Sequence, residues 1–114
     1  MSAFIYLFRN NPEAYRSISP EQMQRTLKKW IDWKEELARN GHVKQNGERL
    51  DGSGKVIRGN AKSVTDGPYV EVKDFVQGFM VVEAKNVDHA AELALGCPVL
   101  DSGGSVEVRP FVTA

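Results

Sequence analysis

Residues 3 to 9, AFIYLFR, are β-formers almost throughout and apolar up to the closing arginine. An apolar run of this kind predicts a strand buried on both faces. After the loop NNPEAYRSI the pattern changes at SPEQ, residues 19 to 22. Ser19 can serve as N-cap, Pro20 suits the first helical position, and Gln22 can complete a capping box. Glu21 adds negative charge where the helix dipole favours it. The predicted helix runs from Pro20 to Asn40, with Gly41 as its stop. Met23, Leu27, Trp30, Ile31, Leu37 and Ala38 fall on one stripe at helical spacing, which predicts the core-facing side. Trp33 lies about 100° from the centre of that stripe. Lys34 falls inside it, so it either snorkels past the core edge or points into a polar cavity.

From His42 to Val64 the pattern is strand, turn, strand, with DGSG at 51 to 54 as the turn. Asp66-Gly67-Pro68 predicts a rigid corner. QGFMVVEAK, residues 77 to 85, predicts a further strand. Asn86 then caps a short helix whose small-residue face is Ala90, Ala91, Leu93, Ala94 and Cys97. SVEVRPFV, residues 105 to 112, is the last strand, and Pro110 marks an edge or an end. The order is β-α-β-β-α-β with an extra hairpin: an α+β, ferredoxin-like plan in a single domain spanning residues 1 to 114. Two helices would cover one face of the sheet. The other face keeps apolar and aromatic residues, so a second subunit is expected there, as a homodimer.

Charge narrows the partners. Fifteen basic side chains balance fifteen acidic ones. A net charge of zero supplies no overall pull toward nucleic acid, and no direct nucleic-acid binding is expected. Apolar runs are too short to span a bilayer, and the first residues lack a signal-peptide pattern, so no membrane partner is expected. The single cysteine, Cys97, excludes an intrachain disulfide and fits a reducing, cytoplasmic setting.

The candidate chemistry is sparse. GSGKVIRG at 52 to 59 lacks the spacing of a phosphate-binding loop and reads as a hairpin tip. His42 and His89 are far apart in sequence and neither has an evident second ligand, so no metal is expected. Neither is any cofactor. Alternation on the last strand sets Val106, Val108 and Pro110 toward the helices and Glu107 and Arg109 toward the open side. Those two charges form either a solvated or interfacial ion pair, or a pocket wall in which Arg109 holds an anionic oxygen. Structural ion pairs are common, which favours the first reading. Tyr6 reads as a core aromatic with a bonded hydroxyl, or else as a pocket residue together with Trp33 and Lys34. Asp66 has two readings as well. Its carboxylate braces its own turn, held by Gly67 and Pro68, or the corner aims it into a pocket as a general base.

The stretch TDGPYVEVKDFVQGFMVVEAKNVDHAAELALGCP and the ending GSVEVRPF resemble the YCII-related proteins, in the subgroup named for its DGPF motif. Here Tyr69 stands in place of the phenylalanine. The resemblance implies a ferredoxin-like subunit forming a dimeric α/β barrel, with a cavity between sheet and helices. It also implies a possible link to sigma-factor regulation in some relatives. The wider family is associated with a recurring His and Asp, but the helix from Pro20 to Asn40 contains no histidine. Two functions follow: a small-molecule-binding or regulatory barrel, or a cofactor-independent isomerase, lyase or monooxygenase acting on a small polar or aromatic compound.

Overall fold

The computed structural model describes residues 1–11, 18–67 and 75–113. Strand β1 (Ser2–Asn10) leads to helix α1 (Pro20–Arg39), then strands β2 (Val43–Gln45), β3 (Gly54–Arg58), β4 (Ser63–Gly67) and β5 (Phe75–Ala84). Helix α2 (Val87–Ala94), a 3-10 turn at Pro98–Ser102 and strand β6 (Ser105–Pro110) complete the chain. The main sheet has the order β2-β5-β1-β6, and every neighbouring pair is antiparallel. With β3 and β4 set aside, this is the 4-1-3-2 order of the ferredoxin-like plan. The inserted strands form a separate two-stranded ribbon.

Local chemistry fixes most element ends. Ser19 accepts from the Gln22 amide while the Gln22 side chain accepts from the Ser19 amide, closing the capping box at the start of α1. Asn40 caps the other end, and Gly41 turns the chain at φ 77°. The Asn86 side chain accepts from the His89 amide and starts α2.

The core lies between the helices and one face of the sheet. Phe4, Tyr6 and Phe8 point there from β1, and Met80, Val82 and Ala84 from β5. Val106 and Val108 pack against them from β6, as the alternation predicts. Strand β1 is therefore buried on one face and half-buried on the other, not buried on both. Alternation alone sets that pattern, because only one face carries helices.

The helix stripe is also rotated from its expected position. Trp33 and Leu37 are the buried residues of α1, whereas Leu27 and Ile31 are 43% and 56% exposed. The Trp33 ring stacks on Tyr6, and that large contact turns the helix so that the two tryptophans, not Ile31, meet the sheet.

The hairpin is displaced too. DGSG does not form its tip: residues 51–53 lead into β3, and Gly54 and Lys55 already belong to it. The chain reverses at 59–62, where Gly59 and Lys62 both take positive φ. Before the ribbon, the segment after Gly47 runs along β5: the Glu48 carbonyl accepts from the Phe79 amide, and the Leu50 amide donates to Gln77. Gly47 has φ 70°, and a Cβ there would collide with the Phe79 carbonyl.

Candidate functional site

Four aromatic rings meet where α1 crosses β1. Tyr6 and Trp33 stack at 6.1 Å between centroids. Phe8 stands edge-on to Trp30 at 4.9 Å, and Trp30 is edge-on to Trp33 at 5.8 Å. Both polar tips in the deeper layer are satisfied: the Tyr6 hydroxyl donates to the Ala90 carbonyl at 2.5 Å, and Trp33 Nε1 donates to the Leu93 carbonyl at 3.1 Å. These bonds tie the sheet and α1 to α2. Burial, reinforced by the nearby Cys97 sulfur, pushes the Tyr6 phenol up to about 12. Burial likewise pushes the Cys97 thiol up to about 12, so at neutral pH it is a packed thiol and not a nucleophile.

Lys34 lies at the rim of this cluster. Its ammonium sits 5.9 Å from the centre of the Trp30 ring and donates to the Asn46 carbonyl at 3.3 Å. Desolvation lowers its pKa, while Cys97 and Glu48 oppose that shift. The structure thus brings Tyr6, Trp33 and Lys34 together, and adds Trp30, which the sequence reading assigned only to packing.

Arg109 stands apart from them. It lies on the opposite face of the sheet, on edge strand β6, and its side chain is 67% exposed. Its Nε is 3.9 Å from Glu107, but the tighter contact of that carboxylate is Arg9, whose Nε and terminal nitrogen both donate to one Glu107 oxygen at 3.1 and 3.0 Å. Register accounts for the choice. Leu7 pairs with Glu107, so Arg9 is the diagonal neighbour on the same face.

Asp66 and Gly67 close strand β4, paired with Lys55 and Gly54, so the expected corner does not begin at Asp66. The Asp66 carboxylate accepts from the Lys55 ammonium across the ribbon, and its side chain is 89% exposed. Pro68 lies outside the described residues.

The histidines are closer than their spacing in sequence suggested. Their ring centroids are 5.3 Å apart, edge to face. His42 Nδ1 meets the Glu83 carbonyl at 2.9 Å, and His89 Nδ1 accepts from the Lys85 amide at 3.1 Å. His42 must therefore carry its hydrogen on Nδ1 and a neutral His89 on Nε2, which are complementary tautomers. No group of three or more metal-ligating side chains occurs among the described residues. The signal that could have joined this pair is the antiparallel return of the chain: β2 runs beside β5, and the His42 carbonyl accepts from the Glu83 amide. Among the described residues, no helix is long and apolar enough to cross a membrane.

The fold has a solved counterpart. The chain is similar to 5-chloro-2-hydroxyhydroquinone dehydrochlorinase from Burkholderia phenoliruptrix AC1100, whose structure holds 2,5-dihydroxybenzoquinone. The likeness covers 98% of this chain and 95% of that one, with a TM-score of 0.51 and 13% sequence identity. At that identity the likeness is one of fold. A comparison with curated proteins finds no match. The model of the YCII-related domain matches residues 3–112, nearly the whole chain, and the protein belongs to the YCII-related family.

Proposed function

We propose that this protein binds a small, planar, oxygen-rich aromatic compound at the corner formed by Trp30 and Lys34. The observation that carries the reading is Lys34 itself. It is a lysine held at the edge of a core, over an indole, with one weak hydrogen bond to a carbonyl and its charged form disfavoured by burial. An ammonium has three donors, so two remain for a phenolate or carbonyl oxygen. The Trp30 face would receive the ring, with Tyr6 and Trp33 as the wall behind it. The compound class is further supported by the fact that a protein of this fold holds a hydroxyquinone.

The test is calorimetric titration with a panel of hydroxyquinones and hydroxybenzenes. At least one should bind, and Lys34→Met, which keeps the aliphatic stem, should weaken it by about tenfold. Absence of heat across the whole panel would sink the reading. Consumption of a bound compound over time would favour the cofactor-independent enzyme.

Three narrower expectations belong to this proposal. Membership of the DGPF-motif subgroup is supported by Asp66-Gly67-Pro68 and by the Glu107-Val108-Arg109-Pro110 ending. The comparisons lend no support to a link with sigma factors. A homodimer is supported by the second face of the sheet, where Ile5, Leu7, Phe79 and Val81 lie with Arg109 at the rim. Arg109 would there meet a carboxylate of the other copy. A cytoplasmic location is the setting this reading expects.

A further inference from the structure

The N-terminal half of α1 presents an unusual face to its neighbour. Gln22, Arg25, Thr26 and Lys29 recur at helical spacing, so they share one side of the helix. Thr26 is half-buried on that side, while Gln22, Arg25 and Lys29 reach into solvent. With the 3-10 turn at Pro98–Ser102 it lines an open cleft of about 310 Å³. A helix packed against another element ordinarily turns apolar residues toward it. Here Ile18 and Pro98 are the apolar residues of the lining, and although most of its area is carbon, the side chains of Gln22, Arg25, Thr26, Lys29, Asp101 and Ser102 bring polar groups to it.

The charges in the cleft are unevenly matched. Lys29 has a loose ion pair with Asp101 at 3.4 Å, with both side chains more than half exposed. The Ser102 hydroxyl already donates to the Val99 carbonyl and accepts from the Asn10 amide, which fixes the floor but leaves no donor for a guest. Arg25 and the Thr26 hydroxyl line the same space. Among the described residues, two cations and one carboxylate leave an excess of one positive charge. A guanidinium supplies a planar fork of donors that matches a carboxylate. The volume is at the small end for a ligand pocket, enough for one ring or a short chain.

We infer that this cleft is a second binding site, independent of the Trp30–Lys34 corner, for a small organic monocarboxylate. Arg25 holds the carboxylate through its fork, Thr26 donates one further hydrogen bond, and the apolar body lies against Ile18 and Pro98. Lys29 remains with Asp101 and closes one side.

The experiment is an NMR titration of the full chain with benzoate, with benzamide as the neutral isostere and inorganic phosphate as the competing anion. Benzoate should shift the amide signals around Thr26 and Ser102, and Arg25→Gln should weaken it by about tenfold while leaving the far-UV circular dichroism unchanged. Arg25→Lys should recover only part of the affinity, because it restores the charge and not the fork. Lys34→Met should leave benzoate binding here unchanged, which separates this inference from the proposed function. Equal binding of benzamide, tighter binding of phosphate, an Arg25→Gln affinity within about twofold of wild type, or no shift at about 10 mM benzoate would each overturn it.

Discussion

The helix-covered face of the main sheet and the β3–β4 ribbon are built from similar residues and end in opposite states. Both are pairs of β-formers in antiparallel register. On the main sheet Tyr6, Met80 and Val82 are fully buried, whereas on the ribbon the cross-strand partners Ile57 and Val64 stay 67% and 60% exposed. Strand propensity and pairing make a ribbon, but only a covering layer makes a core. The same difference separates the two groups of candidate site residues. Tyr6, Trp33 and Lys34 lie where burial alters side-chain chemistry, while Asp66 lies where water surrounds it.

The largest effect is expected at Trp33. Replacing it with alanine should cost about 3–5 kcal/mol in urea unfolding, since it empties the centre of the aromatic cluster. A loss under about 1 kcal/mol would mean that the helix-covered face is not the tightly packed one.

The pH dependence of stability should report the same side of the molecule. Tyr6 and Cys97 both have folded pKa values raised to about 12, from 10.0 and 9.0. A raised folded value means that the unfolded chain loses its proton first. Their contribution is therefore fully present below pH 9 and is lost as the pH climbs toward about 12. Lys34 acts with the opposite sign, because burial lowers its value. The readout is thus the difference between wild type and Cys97→Ala in urea melts stepped upward from pH 8. That difference should shrink with rising pH, and a constant gap would contradict the assignment.

A third effect lies at the junction between the two regions. Gly47→Ala combines a positive φ with a clash against the Phe79 carbonyl and should cost at least about 2 kcal/mol. Chemical denaturation of the variant would measure it.

The smallest effect is expected on the ribbon. Asp66→Ala removes an exposed pair with Lys55 and should stay within about 0.5 kcal/mol of wild type by the same measurement. A loss above about 1.5 kcal/mol would show that the ribbon is covered in solution, and would bring the two regions closer together.

Much of the fold was legible from local signals. The capping box at Ser19, the Gly41 stop and the Asn86 cap all act within a few residues, so the sequence states them directly. The valine face of β6 followed from alternation. The rotation of α1 did not, because Trp33 is drawn inward by Tyr6, a residue in another element. Asp66 was misplaced for a related reason: Asp-Gly-Pro is turn chemistry, but pairing with β3 extends the strand through Gly67. The histidine pair was invisible, since 47 positions separate residues 42 and 89 and only the return of β5 beside β2 closes the gap.

The sequence by itself determined the element order, the helix ends and the faces of the edge strand, because these depend on spacing and on contacts within a turn. It also marked Lys34 as out of place on its helix. Only the tertiary structure decided which side of α1 is buried, that Arg9 and not Arg109 is the closer partner of Glu107, and that Asp66 stands on an exposed ribbon away from the aromatic corner. Those outcomes depend on which surfaces meet across the chain, and packing between distant residues is not written in local spacing.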